Sequence, residues 1–174
     1  MNPFISLIKT RRSIRRYTDR QVSDEQLAQI LEAGTYAPTS RGMQRPFIVA
    51  IQNEEWRNRL SRMNSAFATH KDTDQFYNAP TQIYVFAPAD YEMHVQDCSC
   101  ILQNMMLAAH ALSLGSCWIN RCIQMFATPE GREEMRLMQL PEGLVGVGAL
   151  AVGHAVAIPT STKPRKADYT RIFK

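Results

Sequence analysis

Apolar residues recur along this chain in two rhythms, and these predict helices and strands in alternation. Asn2 before Pro3 reads as a helix start, with a side chain able to cap and a proline preset for the first turn. Phe4, Ile5, Leu7 and Ile8 give that helix its apolar face, and it ends in arginines. A second helix opens on Ser23 as cap, with Gln26 closing a capping box and Val22 placed to staple against Leu27. Leu27, Ile30 and Leu31 form its buried stripe, and Gly34 is a natural stop. A third helix runs through Trp56, Leu60 and Met63, and Thr128-Pro129-Glu130 caps a later one. Between them, residues 92–114 place Val95, Cys98, Ile101, Leu102, Met105, Ala109 and Leu112 on one face. That helix is apolar enough elsewhere to predict burial, with a subunit interface as one place for it.

Strand-like runs occupy 47–51, 82–86, 117–119 and 144–151. In the last of these, Gly146 and Gly148 predict close approach of another backbone. Two segments carry neither rhythm. Residues 37–46 hold two prolines, a glycine and small hydroxyl residues, and read as a loop of the kind that carries function. Residues 65–80 are polar and irregular, and are predicted to form a mobile lid. After Gly153 the chain is expected to be extended, with Pro159 and Pro164, and to run over a neighbouring surface. No internal repeat and no strict βαβ alternation is present. The expected fold is therefore α+β: one domain over 1–174 with a mixed, mainly antiparallel central sheet flanked by helices.

Composition changes this picture little. With 174 residues, 45% hydrophobic and 21% charged, the chain is ordinarily globular, which excludes a disordered or fibrous class. A chain of this size often completes its site across a dimer interface. The longest apolar stretch, 144–153, is about half the roughly 20 residues a spanning helix needs. The apolar residues of the N-terminus precede its basic ones, the reverse of a secretory signal, so a soluble cytoplasmic protein is expected. Cys98, Cys100, Cys117 and Cys122 then read as reduced thiols, and their C-x-C and C-x4-C spacing lacks the paired C-x2-C pattern of zinc sites.

The net charge of +4 favours anionic partners. Much of it sits in two clusters, Arg11-Arg12-Ser13-Ile14-Arg15-Arg16 and Lys163-Pro164-Arg165-Lys166. A phosphomonoester carries about two negative charges, and the guanidinium fork matches its oxygens. Arg11, Ser13, Lys163 and Arg165 could together surround one such group; solvated surface charge is the alternative. Neither G-x-G-x-x-G nor G-x4-G-K-S/T is present, so no Rossmann fingerprint or P-loop supports phosphate binding. Nucleic-acid binding is disfavoured because basic residues are not interleaved with exposed aromatics. Met105 and Met106 read as core filler. His70, His94, His110 and His154 fit no ligand or triad pattern and read as structural.

Taken in order, the arginines after the first helix, Ala37-Pro38-Thr39-Ser40 with Gln44 following, Leu114-Gly115-Ser116-Cys117-Trp118-Ile119, and the K-P-R-K tail resemble the FMN-dependent nitroreductase family over essentially the whole chain. The loop matches a short subgroup reading A-P-T-x-x-G-x-Q; Gly42 stands where the commoner pattern has Asn, and Arg45-Pro46-Phe47 replaces its Pro-Trp pair.

The resemblance implies a homodimer with two FMN molecules at the interface, and a C-terminal tail that reaches the partner subunit. Arg11 and Ser13 with Lys163 and Arg165 would bind the phosphate, Arg12 contributing mainly backbone. Arg15 would reach the N1/O2 edge of the ring, where a cation stabilises negative charge on reduction. Pro38, Thr39 and Ser40 would cover the ring from the partner chain, with Gln44 either touching FMN or holding the loop. Trp118, Ile119 and Asn120 would offer backbone groups near N5 and O4, and Asn64 would meet the pyrimidine edge. The implied activity is ping-pong transfer of electrons from NADH or NADPH to a nitroaromatic, a quinone or a similar small acceptor, with residues 65–78 bearing on acceptor size. The alternative is an FMN-binding sensor or storage protein without turnover. Taken one at a time, these residues also have bland roles: Ser13 and Thr39 as caps, Trp118 as core, Asn120 as a turn former.

Overall fold

The computed structural model describes residues 2–174. The elements run α1 (Pro3–Thr10), α2 (Asp24–Thr35), β1 (Phe47–Ile51), α3 (Glu54–Ser65), β2 (Thr81–Pro88), α4 (His94–Ala111), β3 (Gly115–Ile119), α5 (Cys122–Ala127), α6 (Pro129–Leu137) and β4 (Leu144–Gly153). The helix starts form as their sequences dictate. Asn2 accepts from Phe4 N at 2.9 Å, and Ser23 and Gln26 close a reciprocal capping box at the head of α2. Thr128 caps α6 through Gly131 N at 2.9 Å.

The sheet has the order β1-β2-β4-β3, and every pairing between named strands is antiparallel. The expected mixed character reduces to one isolated parallel bridge, Ser13 to Ser116. That bridge matters, because it lays the arginine segment along β3. Strand alternation divides the core in two. Ile83 and Val85 of β2 with Leu150 and Val152 of β4 face α2 and α4, whereas Tyr84, Phe86, Ala149 and Ala151 face α3, α5 and the segment around Phe76.

Several expectations are corrected. Gly34 does not stop α2, which continues to Thr35; a Cβ at Gly34 would lie 2.9 Å from Met105 Cγ, so the glycine allows α2 to pack closely on α4. Gly146 and Gly148 admit side chains rather than backbone: the Phe126 ring occupies the space above the first, and Leu102 and Trp118 that above the second. Helix 92–114 is shorter, and Val95 is exposed while Asp97 is buried. Helix α5 was not anticipated; Arg121 turns the chain into it with φ 75°.

The segment expected to be a lid is fastened at its end, over 74–78, while 69–73 are exposed. Phe76 is fully buried, and Asp74 accepts from Phe76 N at 2.8 Å, from Asn78 N and from the Ser61 hydroxyl. One short aspartate side chain satisfies two turn N–H groups and a hydroxyl of α3 at once, and composition alone does not reveal that. Among the described residues no helix is long and apolar enough to cross a membrane.

Candidate functional site

The arginine segment is held against the sheet edge by buried groups. Ile14 N donates to Ser116 O at 3.0 Å, and the Ile14 side chain, 4% exposed, is buried against Gly115. Full burial of such a side chain is worth about 1.5–3 kcal/mol. Tyr17 adds a clamp, donating to Ile14 O at 2.7 Å and lying 3.2 Å from Ala151 O. Burial raises the Tyr17 phenol above its ordinary range, with Cys117 and then Tyr77 adding to the shift. Cys117 lies beneath this segment: burial raises its thiol, while Arg15, Arg11 and Ser13 pull the other way. Arg11, Ser13, Arg15, Tyr17 and Cys117 therefore form one neighbourhood, from which the sequence reading omitted Tyr17 and Cys117.

Arg11 is half-buried, and its Nη1 is buried without a hydrogen-bond partner. Arg12 turns back onto α1, donating to Lys9 O and Arg11 O, each at 2.8 Å. Its Nη1 thus ties the side chain to the end of α1, while its Nε is buried without a partner. Arg15 is exposed. Beside these residues lies a cleft of about 150 Å³ lined by Arg11, Arg12, His110, Ser113 and Ser116. The Ser116 hydroxyl, like Arg11 Nη1, is buried without a partner.

The other end of β3 carries a second orphan. Asn64, fully buried on α3, donates from Nδ2 to Asn120 O at 2.8 Å, and its Oδ1 has no partner. Leaving a buried polar group unmet costs about 1–3 kcal/mol. Ser116 and Asn120 are four residues apart, or about 13 Å along a strand. The strand thus has unmet polar groups near one end, at Arg11 and Ser116, and an unmet acceptor near the other, at Asn64. Between these ends, Trp118 is half-buried and Ile119 is in the core.

The loop residues lie elsewhere in the protomer. Pro38 is exposed. Thr39 Oγ1 accepts from Gln44 N at 3.0 Å, closing a turn in which Arg41, Gly42 and Gln44 have positive φ. This bond uses the Gln44 backbone, and the Gln44 side chain is exposed. Ser40 N donates to the buried carboxylate of Asp97, which also accepts from Tyr91 OH at 2.7 Å. Asp97 escaped the sequence reading; its signal was a charge set among the apolar positions of a helix. Lys163 and Arg165 are exposed, and among the described residues neither forms a hydrogen bond or ion pair. A single protomer therefore shows no bond between them and Arg11, because the chain beyond Ala155 lies open to solvent.

A larger groove of about 770 Å³ runs between α5, α6 and the start of β4, floored by Phe126, Met135 and Leu140. It includes no sequence-predicted site residue and none of the orphaned polar groups. The β3 neighbourhood is the better candidate. Among the described residues no group of His, Cys, Asp and Glu could hold a metal ion.

Comparison with known proteins points the same way. A crystal structure of a nitroreductase with bound FMN from Bacteroides fragilis matches with a TM-score of 0.92 at 30% identity, covering 100% of both chains. A protein of Archaeoglobus fulgidus, provisionally assigned as an NADH dehydrogenase/NAD(P)H nitroreductase, is 34% identical over 160 residues, covering 88% of this chain and 86% of its own. The NADPH-flavin oxidoreductase of Vibrio harveyi is 29% identical, covering 95% of this chain and 70% of its own. The profile of the nitroreductase family matches residues 8–154, a span that takes in the arginine segment, Asn64 and all four strands, and the chain belongs to that family.

Proposed function

We propose that this chain is an FMN-dependent oxidoreductase that takes electrons from NADH or NADPH and delivers them to a small acceptor such as a nitroaromatic or a quinone. The observation that carries the reading is the placement of buried, partnerless polar groups at both ends of β3, Arg11 Nη1 and Ser116 Oγ at one and Asn64 Oδ1 at the other. They fit a phosphate at one end of a ligand and a heterocyclic edge at the other. Bound FMN would supply the hydride and electron transfer that the protein's own side chains do not offer.

The chain's residues would bind and orient. Arg11 and Ser13 hold the phosphate, joined by Lys163 and Arg165 of the tail, and Arg12 contributes through backbone. Arg15 brings positive charge to the N1/O2 edge, while Trp118, Ile119 and Asn120 present backbone groups and Asn64 its amide. The turn carrying Pro38, Thr39, Ser40 and Gln44 acts on the partner's ring in a homodimer of single-domain subunits, and the exposed tail runs over that partner. All four cysteines are free thiols, in keeping with a reducing cytoplasmic setting.

The first test is a visible spectrum of the purified protein followed by NADH and NADPH oxidation with menadione. A yellow protein with sustained turnover supports the reading. A colourless protein that takes up no FMN refutes it, and a yellow protein without turnover leaves a flavin-binding sensor or storage protein. Both substrates using one open ring face predicts parallel double-reciprocal plots; intersecting plots would refute the ping-pong order.

A further inference from the structure

The cleft beside Arg11 contains a group that the proposed function does not use. His110, near the end of α4, lines it together with Arg11, Arg12, Ser113 and Ser116, and among the described residues no carboxylate does. Three of these residues keep a buried polar atom without a partner, Arg11 Nη1, Arg12 Nε and Ser116 Oγ. Two are donors of fixed positive groups and the third is a hydroxyl, a set that calls for an anion.

One nitrogen of His110 is already engaged. Its Nε2 lies 2.9 Å from Thr10 Oγ1, and that hydroxyl is also 3.0 Å from Ser6 O and 3.2 Å from Leu7 O. With the hydroxyl proton given to those helix carbonyls, Thr10 accepts from Nε2–H. The other nitrogen, Nδ1, is then the position where a second proton adds.

We propose that His110 is a further anion-binding residue of this cleft, one that becomes charged as the cofactor's phosphate enters and so ties FMN affinity to pH. This rests on the FMN reading given above. The groups facing the imidazole come from each neighbouring element. The segment after α1 brings the Arg11 and Arg12 guanidinium groups, and α1 brings Thr10. The turn before β3 brings Ser113, and the chain after β4 brings the uncharged Ala155 and Ile158.

Without an anion, burial holds His110 below its ordinary range, and Arg11 and Arg12 push it the same way. A phosphate dianion reverses the push, since an opposite charge within about 4–6 Å raises a cation's pKa by about 1–3 units. The imidazole pKa is then higher in the complex than in the free protein, so binding takes up a proton. Affinity rises as pH falls through that window and declines as pH rises through it. A difference of about one unit corresponds to about tenfold in affinity.

The test is the FMN dissociation constant, read by flavin fluorescence quenching at about pH 5.5 and about pH 8.5, either side of the ordinary imidazole value of about 6.5. Wild type is compared with His110→Gln, which can still reach Thr10, and His110→Lys. The phosphate's own ionisation, near about pH 6, is common to all three and cancels. Relative to His110→Gln, wild type should bind about tenfold tighter at the acid end and no tighter at the alkaline end. His110→Lys should keep that gain at both ends. Should His110→Lys fail to fold, the wild-type and His110→Gln profiles decide the matter alone. Superimposable profiles for wild type and His110→Gln overturn the His110 assignment while leaving FMN binding intact; no FMN binding by wild type at any pH overturns both.

Discussion

Replacing Arg11 by alanine separates a binding residue from a structural one, because the structure gives the two roles opposite signs. Arg11 is half-buried, burial lowers its guanidinium from the ordinary range, and its Nη1 has no partner. In the flavin-free protein this side chain is therefore a cost: an unmet buried donor forfeits about 1–3 kcal/mol, offset in part by packing of the aliphatic stem. With the phosphate in place, the same group supplies charge-assisted hydrogen bonds worth about 1.5–3 kcal/mol. Arg11→Ala should thus weaken FMN binding by roughly ten- to hundredfold without lowering the melting temperature of the flavin-free protein. Fluorescence titration with FMN reads the first quantity, and thermal unfolding of flavin-stripped wild type and variant reads the second. Unchanged affinity would refute the phosphate contact. An affinity loss matched by an equal loss of flavin-free stability would show Arg11 to be a structural residue.

Three further outcomes follow from the same geometry. Asp97→Asn leaves Tyr91 OH and Ser40 N competing for a single acceptor oxygen, and should cost about 1–3 kcal/mol in urea unfolding; an unchanged midpoint would mean that the carboxylate does not anchor the turn. Arg121 holds φ 75°, and Arg121→Gly should raise stability by about 1 kcal/mol because glycine adopts that backbone without strain; a lower melting temperature would argue that the side chain earns its place through contacts such as that with Gln75. Burial pushes the Cys98 and Cys122 thiols up to about 12, so mass spectrometry after iodoacetamide treatment at neutral pH should find both unmodified in the folded protein. Rapid native labelling of either would contradict their placement in the core.

Local chemistry carried much of this architecture in the sequence. The capping box at Ser23 and Gln26, the Asn2-Pro3 start and the Thr128 cap are closed by residues at most three apart, so propensity and position decide them. The β2 strand was legible for a related reason, its alternate residues filling both halves of the core. Misreadings occurred where a distant element set the answer. Gly34 has the residue type of a helix stop, but Met105, far along the chain, determines its role. Residues 65–80 read as polar and irregular, but Asp74 fixes the turn at their end by accepting from Phe76 N and Asn78 N.

The site divides in the same way. The arginine segment and β3 were each legible as a short contiguous motif, and only the family resemblance tied them to one ligand; their adjacency through the Ser13–Ser116 bridge needed the fold. Their clamp, Tyr17, needed the fold, and so did Asp97, whose acceptor role joins α4 to a turn 57 residues away. His110 carried no pattern in the chain, and only its place beside Arg11 and Arg12 gives it chemistry. Lys163 and Arg165 belong to a tail that makes its proposed contacts between two chains, a relation that one protomer does not contain.

The central claim is that Arg11, Ser116 and Asn64 leave polar groups unmet because an FMN molecule meets them. Parallel calorimetric titrations of the flavin-stripped protein with FMN and with riboflavin, which lacks only the phosphate, test it most directly. The account predicts one FMN per chain, and riboflavin bound weaker by at least about tenfold, the loss of one or more charge-assisted contacts. Equal affinities for the two flavins, or no heat from either, would contradict it.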